Sequence, residues 1–166
     1  MREDRLNMSM LTLMALVVSL GSFGCDSAPT PVSPEFQDQA TLAAMEEAIQ
    51  DEYRAELIYE KVLADFGPVR PFLNIVQAEV RHSESLARLF QARGLQVPES
   101  KWSPDEIPGF PSVSDACKAG AEAEIENAKI YERYFDLELP ADVRRVFENN
   151  RRASVENHLR AFQRCS

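Results

Sequence analysis

Glycine is scarce in this chain, six residues of 166. No Gly-x-Gly-x-x-Gly and no Gly-x-x-x-x-Gly-Lys occurs among them, so the loops that cradle phosphates are missing and nucleotide chemistry is disfavoured. Positive charge is short as well. Lys and Arg total 18 against 27 Asp and Glu, the formal charge is -9, and no basic run appears anywhere. A nucleic-acid partner needs the opposite balance, because its affinity comes from neutralising phosphates. Histidine is down to two residues and cysteine to three, so any chemistry they carry depends on where those few fall. The apolar share of 45% suffices for one modest core and one domain.

Long hydrophobic runs are absent except at the start. From Leu6 to Gly24 no residue is charged, and Leu11, Leu13, Met14, Leu16, Val17, Val18 and Leu20 follow Arg2 and Arg5. The run is short and broken by Ser19, Gly21 and Ser22, which reads as a signal peptide over 1–24 better than as a membrane span. It stops at Gly24-Cys25, resembling a bacterial lipoprotein cleavage site at which Cys25 is acylated, although Ser22 and Phe23 depart from that motif. A plain signal peptide and an uncleaved anchor are the alternatives. Residues 25–34, with prolines at 29, 31 and 34, read as an extended tether. The expected location is the periplasmic side of the cell envelope, held by a lipid anchor, with secretion as the alternative.

The remainder, 35–166, reads as four helices and almost no strand. Helix one is expected from Pro34, capped by Ser33, to Phe66 before Gly67-Pro68. Helix two should run from near Pro71 to Arg93-Gly94, helix three from about Ser114 to Phe135, and helix four without interruption from Pro140 to about Gln163. Prolines at 98, 104, 108 and 111 exclude a helix over 94–112, and that stretch is too long for a tight hairpin. Two short links flanking one long one predict an all-α four-helix bundle with a crossover between helices two and three.

The acids and histidines fall in unusual places. Glu52, Glu79 and Glu124 stand at mid-length on the apolar stripes of helices one, two and three, where a carboxylate is costly to desolvate unless something neutralises it. His82 lies one turn after Glu79 on the same face, and His158 lies in the middle of helix four. A Glu from each of two helices with Glu-x-x-His from each of the others is the ligand pattern of ferritin-like di-iron or di-manganese carboxylate bundles. Five of those six ligands are present, and the sixth position is Val155. Glu79 is then the sole bridge, with Glu52 and His82 on one ion and Glu124 and His158 on the other. Three carboxylates offset three of four charges of two divalent ions, so Glu56, one turn from Glu52, is the candidate for a further carboxylate.

From about Ala48 to Cys165 the chain resembles an uncharacterised family of bacterial and archaeal ferritin-like proteins. The stretches that carry the resemblance are Asp51-Glu52-Tyr53 with Tyr59-Glu60, Phe72 to His82, Lys118 to Glu124, Val146 to Asn149, and Asn157 to Phe162. The resemblance implies a ferritin-like fold and a metal site that as a rule lacks the fourth-helix Glu. It implies no activity.

Taken singly, each acid is better read as part of a solvated helix face, and Glu122, Glu126, Glu132 and Glu156 are assigned there. A bundle whose buried charges merely pair with Arg81, Arg151 or Arg152 is the competing reading of the five. Cys117 precedes Glu124 by seven residues and Cys165 follows His158 by seven, so both sit about 10 Å from a shared layer, at one end of antiparallel helices. A disulfide is expected between them, with two reduced thiols or a soft-metal pair as the alternative. Tyr59 and Tyr131 follow Glu52 and Glu124 by seven residues and face inward about 10 Å from the site, most simply as core residues with a bonded hydroxyl, with relay of electrons or protons to a redox metal as the alternative. Trp102 is expected to plug the crossover onto the bundle.

Two function classes follow. One is an envelope metalloprotein binding one or two divalent ions, iron or manganese first and zinc third, that reacts with oxygen or peroxide in the manner of a ferroxidase. The other is a non-catalytic metal-binding or structural lipoprotein. A homo-oligomer is compatible with either.

Overall fold

The computed structural model describes the backbone of residues 34–166 and the side chains from Gln39 onward. The expected leader, the Cys25 acylation site and nearly all of the tether lie outside the described residues. Helices α1 (Pro34–Phe66), α2 (Phe72–Ala92), α3 (Val113–Arg133) and α4 (Ala141–Ala153) are followed, with no break after α4, by a π-helical turn (Ser154–His158) and α5 (Leu159–Cys165). Among the described residues there is no strand, and no helix is long and apolar enough to cross a membrane.

Local chemistry sets the ends. Proline is tolerated at the start of α1 because the first-turn N–H groups have no helical partner. Gly67 closes α1 at φ +80°, where a side chain would be strained, and its N–H reaches Leu63 O at 2.9 Å. Ser112 caps α3, its Oγ accepting the Asp115 N–H at 3.1 Å. The fourth helix departs from the expected unbroken form. The π turn winds more widely than an α-helix, and Asn150, Ser154 and His158, spaced four apart, are all buried.

Helix α1 packs on α2 and on α3, α3 on the π turn and α5, and α2 on α4. The core divides into two apolar clusters. One gathers Met45, Ile49, Leu86, Phe90, Phe147 and Val143. The other holds Val62, Phe72, Ile75, Val76 and Phe162, with Tyr59 and Cys117. On every helix the predicted ligands fall between the residues of these clusters, so a polar layer is closed above and below by apolar side chains. The disulfide between Cys117 and Cys165 is present, with a Cα separation of 5.7 Å across a sequence distance of 48. Cross-linking a loop of that length restricts the unfolded chain by about 4 kcal/mol.

The long connection 93–112 lies along α1. Trp102 Nε1–H donates to Gln50 O at 2.9 Å, Gln50 Nε2 donates to Glu99 O at 2.8 Å, and the Lys101 N–H donates to Gln50 Oε1 at 2.9 Å. Ile107, just beyond a short 3₁₀ turn (Pro104–Glu106), is buried. Trp102 is thus the plug expected from sequence.

Candidate metal centre

Four helical elements bring the five predicted residues together. Glu52 comes from α1, Glu79 and His82 from α2, Glu124 from α3, and His158 from the π turn. They form two groups that share one member, Glu52–Glu79–His82 and Glu79–Glu124–His158. In each group one ligand atom per residue lies within 4.8 Å of the others. His82 Nδ1 is 2.9 Å from Glu79 Oε2 and 3.4 Å from Glu52 Oε2. His158 Nδ1 is 3.0 Å from Glu79 Oε1 and 3.4 Å from Glu124 Oε2. The two imidazoles stack at 5.4 Å between centroids. The layout is close to two-fold, each oxygen of Glu79 facing one histidine and one further glutamate.

The tyrosines complete that symmetry across helices. Tyr59 on α1 donates to Glu124 Oε1 on α3 at 2.8 Å, and Tyr131 on α3 donates to Glu52 Oε1 on α1. The sequence spacing places each tyrosine about 10 Å from the glutamate of its own helix. What it could not show is that each hydroxyl reaches the glutamate of the other helix. Asn127 Nδ2 donates to Glu52 Oε1 at 3.2 Å and to Asp51 Oδ2 at 2.9 Å, while Ser154 Oγ donates to Asn127 Oδ1 at 2.7 Å. Asn150 Nδ2 donates to the Tyr131 hydroxyl at 3.1 Å. Near the absent fourth-helix carboxylate the inward residue is therefore Ser154, fully buried, while Val155 is half-buried.

Burial without full pairing sets the electrostatics. Glu52 Oε2, Glu79 Oε1 and His158 Nδ1 are buried and lack a hydrogen-bond partner; His158 is near enough to Glu79 for an ion pair, without a hydrogen-bonding angle. Buried groups of this kind are costly and rare. Burial opposes a charged imidazole, yet the facing carboxylates win, and His82 is pushed up to about 10 and His158 to about 9. Burial raises Glu52. For Glu79 burial acts upward as well, but the imidazoles of His158 and His82 beside its two oxygens bring it below the usual carboxylate range. Asp51 is pushed up to about 6 by burial, against the hydrogen bond from Asn127.

Glu56 stays outside both groups, its Oε1 accepting from Ser83 Oγ at 2.5 Å. Glu122, Glu126, Glu132 and Glu156 are exposed, as expected of a solvated face. Arg151 pairs with Glu132 at 2.5 Å and Arg152 bonds Asn149 Oδ1 at 2.7 Å, so neither neutralises the buried acids through these contacts. Sequence reasoning missed the roles of Asp51, Asn127, Asn150 and Ser154. A signal existed for three of them, since Asn127 follows Glu124 by three on the inward stripe of its helix and Asn150 and Ser154 precede His158 in steps of four. Asp51 had none, because on an α-helix it points about a hundred degrees away from Glu52. The buried Glu/His groups can hold a metal ion, through carboxylate oxygens and imidazole Nδ1 atoms.

No protein-family model matches the chain, and no curated protein does. Among solved structures the chain is similar in fold to the crystal structure of a conserved hypothetical protein, rv2844, from Mycobacterium tuberculosis, with a TM-score of 0.66, 18% sequence identity, and 76% of this chain and 96% of that chain covered.

Proposed function

We propose that this chain is an exported, lipid-tethered, ferritin-like protein whose bundle binds a pair of divalent ions, iron or manganese, on Glu52, Glu79, His82, Glu124 and His158. The observation that carries the reading is the set of three buried polar atoms that make no hydrogen bond, Glu52 Oε2, Glu79 Oε1 and His158 Nδ1, all within the two groups. Ions would satisfy all three. Iron or manganese held there supplies redox chemistry toward oxygen or peroxide. The chain's own residues prepare that chemistry. Tyr131 and Asn127 orient Glu52, and Tyr59 orients Glu124, each leaving the other carboxylate oxygen for an ion. The two apolar clusters close the layer above and below and so strengthen the charge interactions in it.

One observation favours the non-catalytic alternative. Ser154 and Asn127 occupy the region where a second bridging carboxylate would stand, which leaves a negative charge short of two divalent ions.

The test is metal stoichiometry of periplasmically produced protein. Wild type is expected to carry about two equivalents of iron or manganese. Glu79→Ala should lose both, whereas Glu52→Ala and His158→Ala should each lose mainly one. Full occupancy in Glu79→Ala would overturn the shared bridge. A single zinc in wild type would favour the non-catalytic protein, and no metal at all would reduce the layer to a charge network.

A further inference from the structure

The Glu79–Glu124–His158 group is approached from one side by a cavity of about 500 Å³ between α1, α3 and the long connection. Its walls are apolar: Ala55 and Ile58 on α1, Ala119 and Ala123 on α3, with Trp102 and Phe110 as the roof. Its floor is polar. Tyr59, Glu79, Glu124, Asn127 and Asp51 line it, whereas Glu52, His82 and His158 do not. The cavity thus meets the Glu79–Glu124–His158 group through two members and the other group only through the shared Glu79. Glu79, 2% exposed, makes no hydrogen bond through Oε1 and holds that oxygen 3.0 Å from His158 Nδ1, so the acceptors open to the space are those of the other lining acids.

We infer that this cavity is a binding pocket for a small organic molecule, apolar in body and ending in an N–H or O–H donor, seated against the second of the two Glu/His groups. Size separates it from an ion path. A bare ion needs no such volume, while about 300–1,000 Å³ is the range of small-molecule sites. Floor chemistry chooses the end group. The Asn127 amide donors are spent on Asp51 and Glu52, and the Tyr59 hydroxyl proton on Glu124, so what remains accepts rather than donates. The charge of the lining chooses against anions. Besides the floor acids, the exposed Glu106 and Glu122 stand in the lining, and Glu126 is paired with Lys129 at 2.7 Å. The cation of the lining, Arg54, lies over the Trp102 ring at 5.1 Å.

The pocket rests on the cavity and its lining. That the bound molecule meets a reactive ion rests on the metal reading above, and the two fail separately. Trp102 is the single tryptophan of the chain and forms part of the roof, so its fluorescence reports occupancy directly. Benzylamine, benzyl alcohol and benzoate, one body with three end groups, are titrated into the protein as purified. Saturable changes are expected with the amine and the alcohol, and benzoate should bind at least about tenfold more weakly, since like charge repels in a screened site. Ala123→Phe from α3 and Ala55→Leu from α1 each fill the space from an opposite wall, and a variant that keeps wild-type helical circular dichroism should lose the response. No saturable change in wild type, an equal response to benzoate, or an undiminished response in both folded variants would overturn the pocket. Metal content of the same samples is read independently, so an empty metal centre with a working pocket would refute only the metal reading.

Discussion

Two imidazoles and three carboxylates in one largely buried layer would make proton and metal compete for the same atoms once an ion is offered. His82 and His158 titrate near 10 and 9 because Glu52, Glu79 and Glu124 face them, against the opposing effect of burial. At pH 7 both rings in the metal-free protein carry a proton that an ion must displace. Uptake of two ions at that pH should release about two protons, measurable by calorimetry in buffers of differing ionisation enthalpy. Release of none would mean that the histidines are not ligands. For the metal-free fold the sign is opposite to that of a salt-bridged carboxylate. A raised folded value stabilises below the unfolded histidine range near 6.5, and that contribution is lost as pH rises through about 9 to 10. Chemical denaturation of metal-stripped protein should therefore show falling stability from about pH 7 to pH 10. At this scale the five candidate ligands were legible as a cluster, since Glu79 and His82 lie one turn apart and the other three stand on apolar stripes. The partners of those ligands were not, because Tyr131 to Glu52 and Tyr59 to Glu124 are contacts between helices whose rotation about their axes is set by packing.

The elements show how closely the helices must approach to bring the ligands within 4.8 Å. Gly120 on α3 faces Phe162 on α5, and a Cβ there would lie 2.9 Å from the ring. Phe162 is fully buried and rests on Tyr59 and Phe72 with ring centroids at 5.2 and 5.0 Å, so it has little room to yield. Gly120→Ala should cost about 1–3 kcal/mol by overpacking, despite the higher helix propensity of alanine, and urea denaturation reads it directly. A stabilised variant would show that α3 and α5 are not held at this distance. Helix boundaries were visible in advance to within a few residues because prolines and glycines act locally, whereas the Ser112 cap of α3 was not read. The π turn was not, since it depends on Asn150, Ser154 and His158 all finding buried polar partners or neighbours, a demand that no local propensity expresses.

At the scale of the whole molecule, the reading couples an acidic, disulfide-linked bundle to an envelope location. The sequence before the bundle motivates one experiment, because an apolar run ends at Gly24-Cys25 and a proline-rich stretch follows. Cys25→Ala is expected to release the protein from the membrane fraction or to block its processing. Unchanged membrane fractionation, with no acyl mass on the mature N-terminus, would refute lipidation and leave the uncleaved anchor as the better reading. Among the described residues, the two apolar clusters and the Cys117–Cys165 bridge fall within residues 42–165.

Sequence alone determined what depends on spacing within one segment. The all-helical class follows from apolar stripes at helical period, the ends from proline and glycine, and the ligand types from glutamates and histidines on those stripes. The pairing of Cys117 with Cys165 followed as well, because both stand two turns from one layer. Tertiary structure decided what depends on how segments rotate and approach. It brought Tyr59 and Tyr131 across to the opposite helices, set Ser154 rather than Val155 inward, and left Glu56 with Ser83 instead of the cluster. It also opened a cavity beneath the long connection against one of the two groups. The reason is physical: local sequence fixes periodicity and chain direction, whereas axial rotation and separation come from filling the space between helices, a property of the whole core.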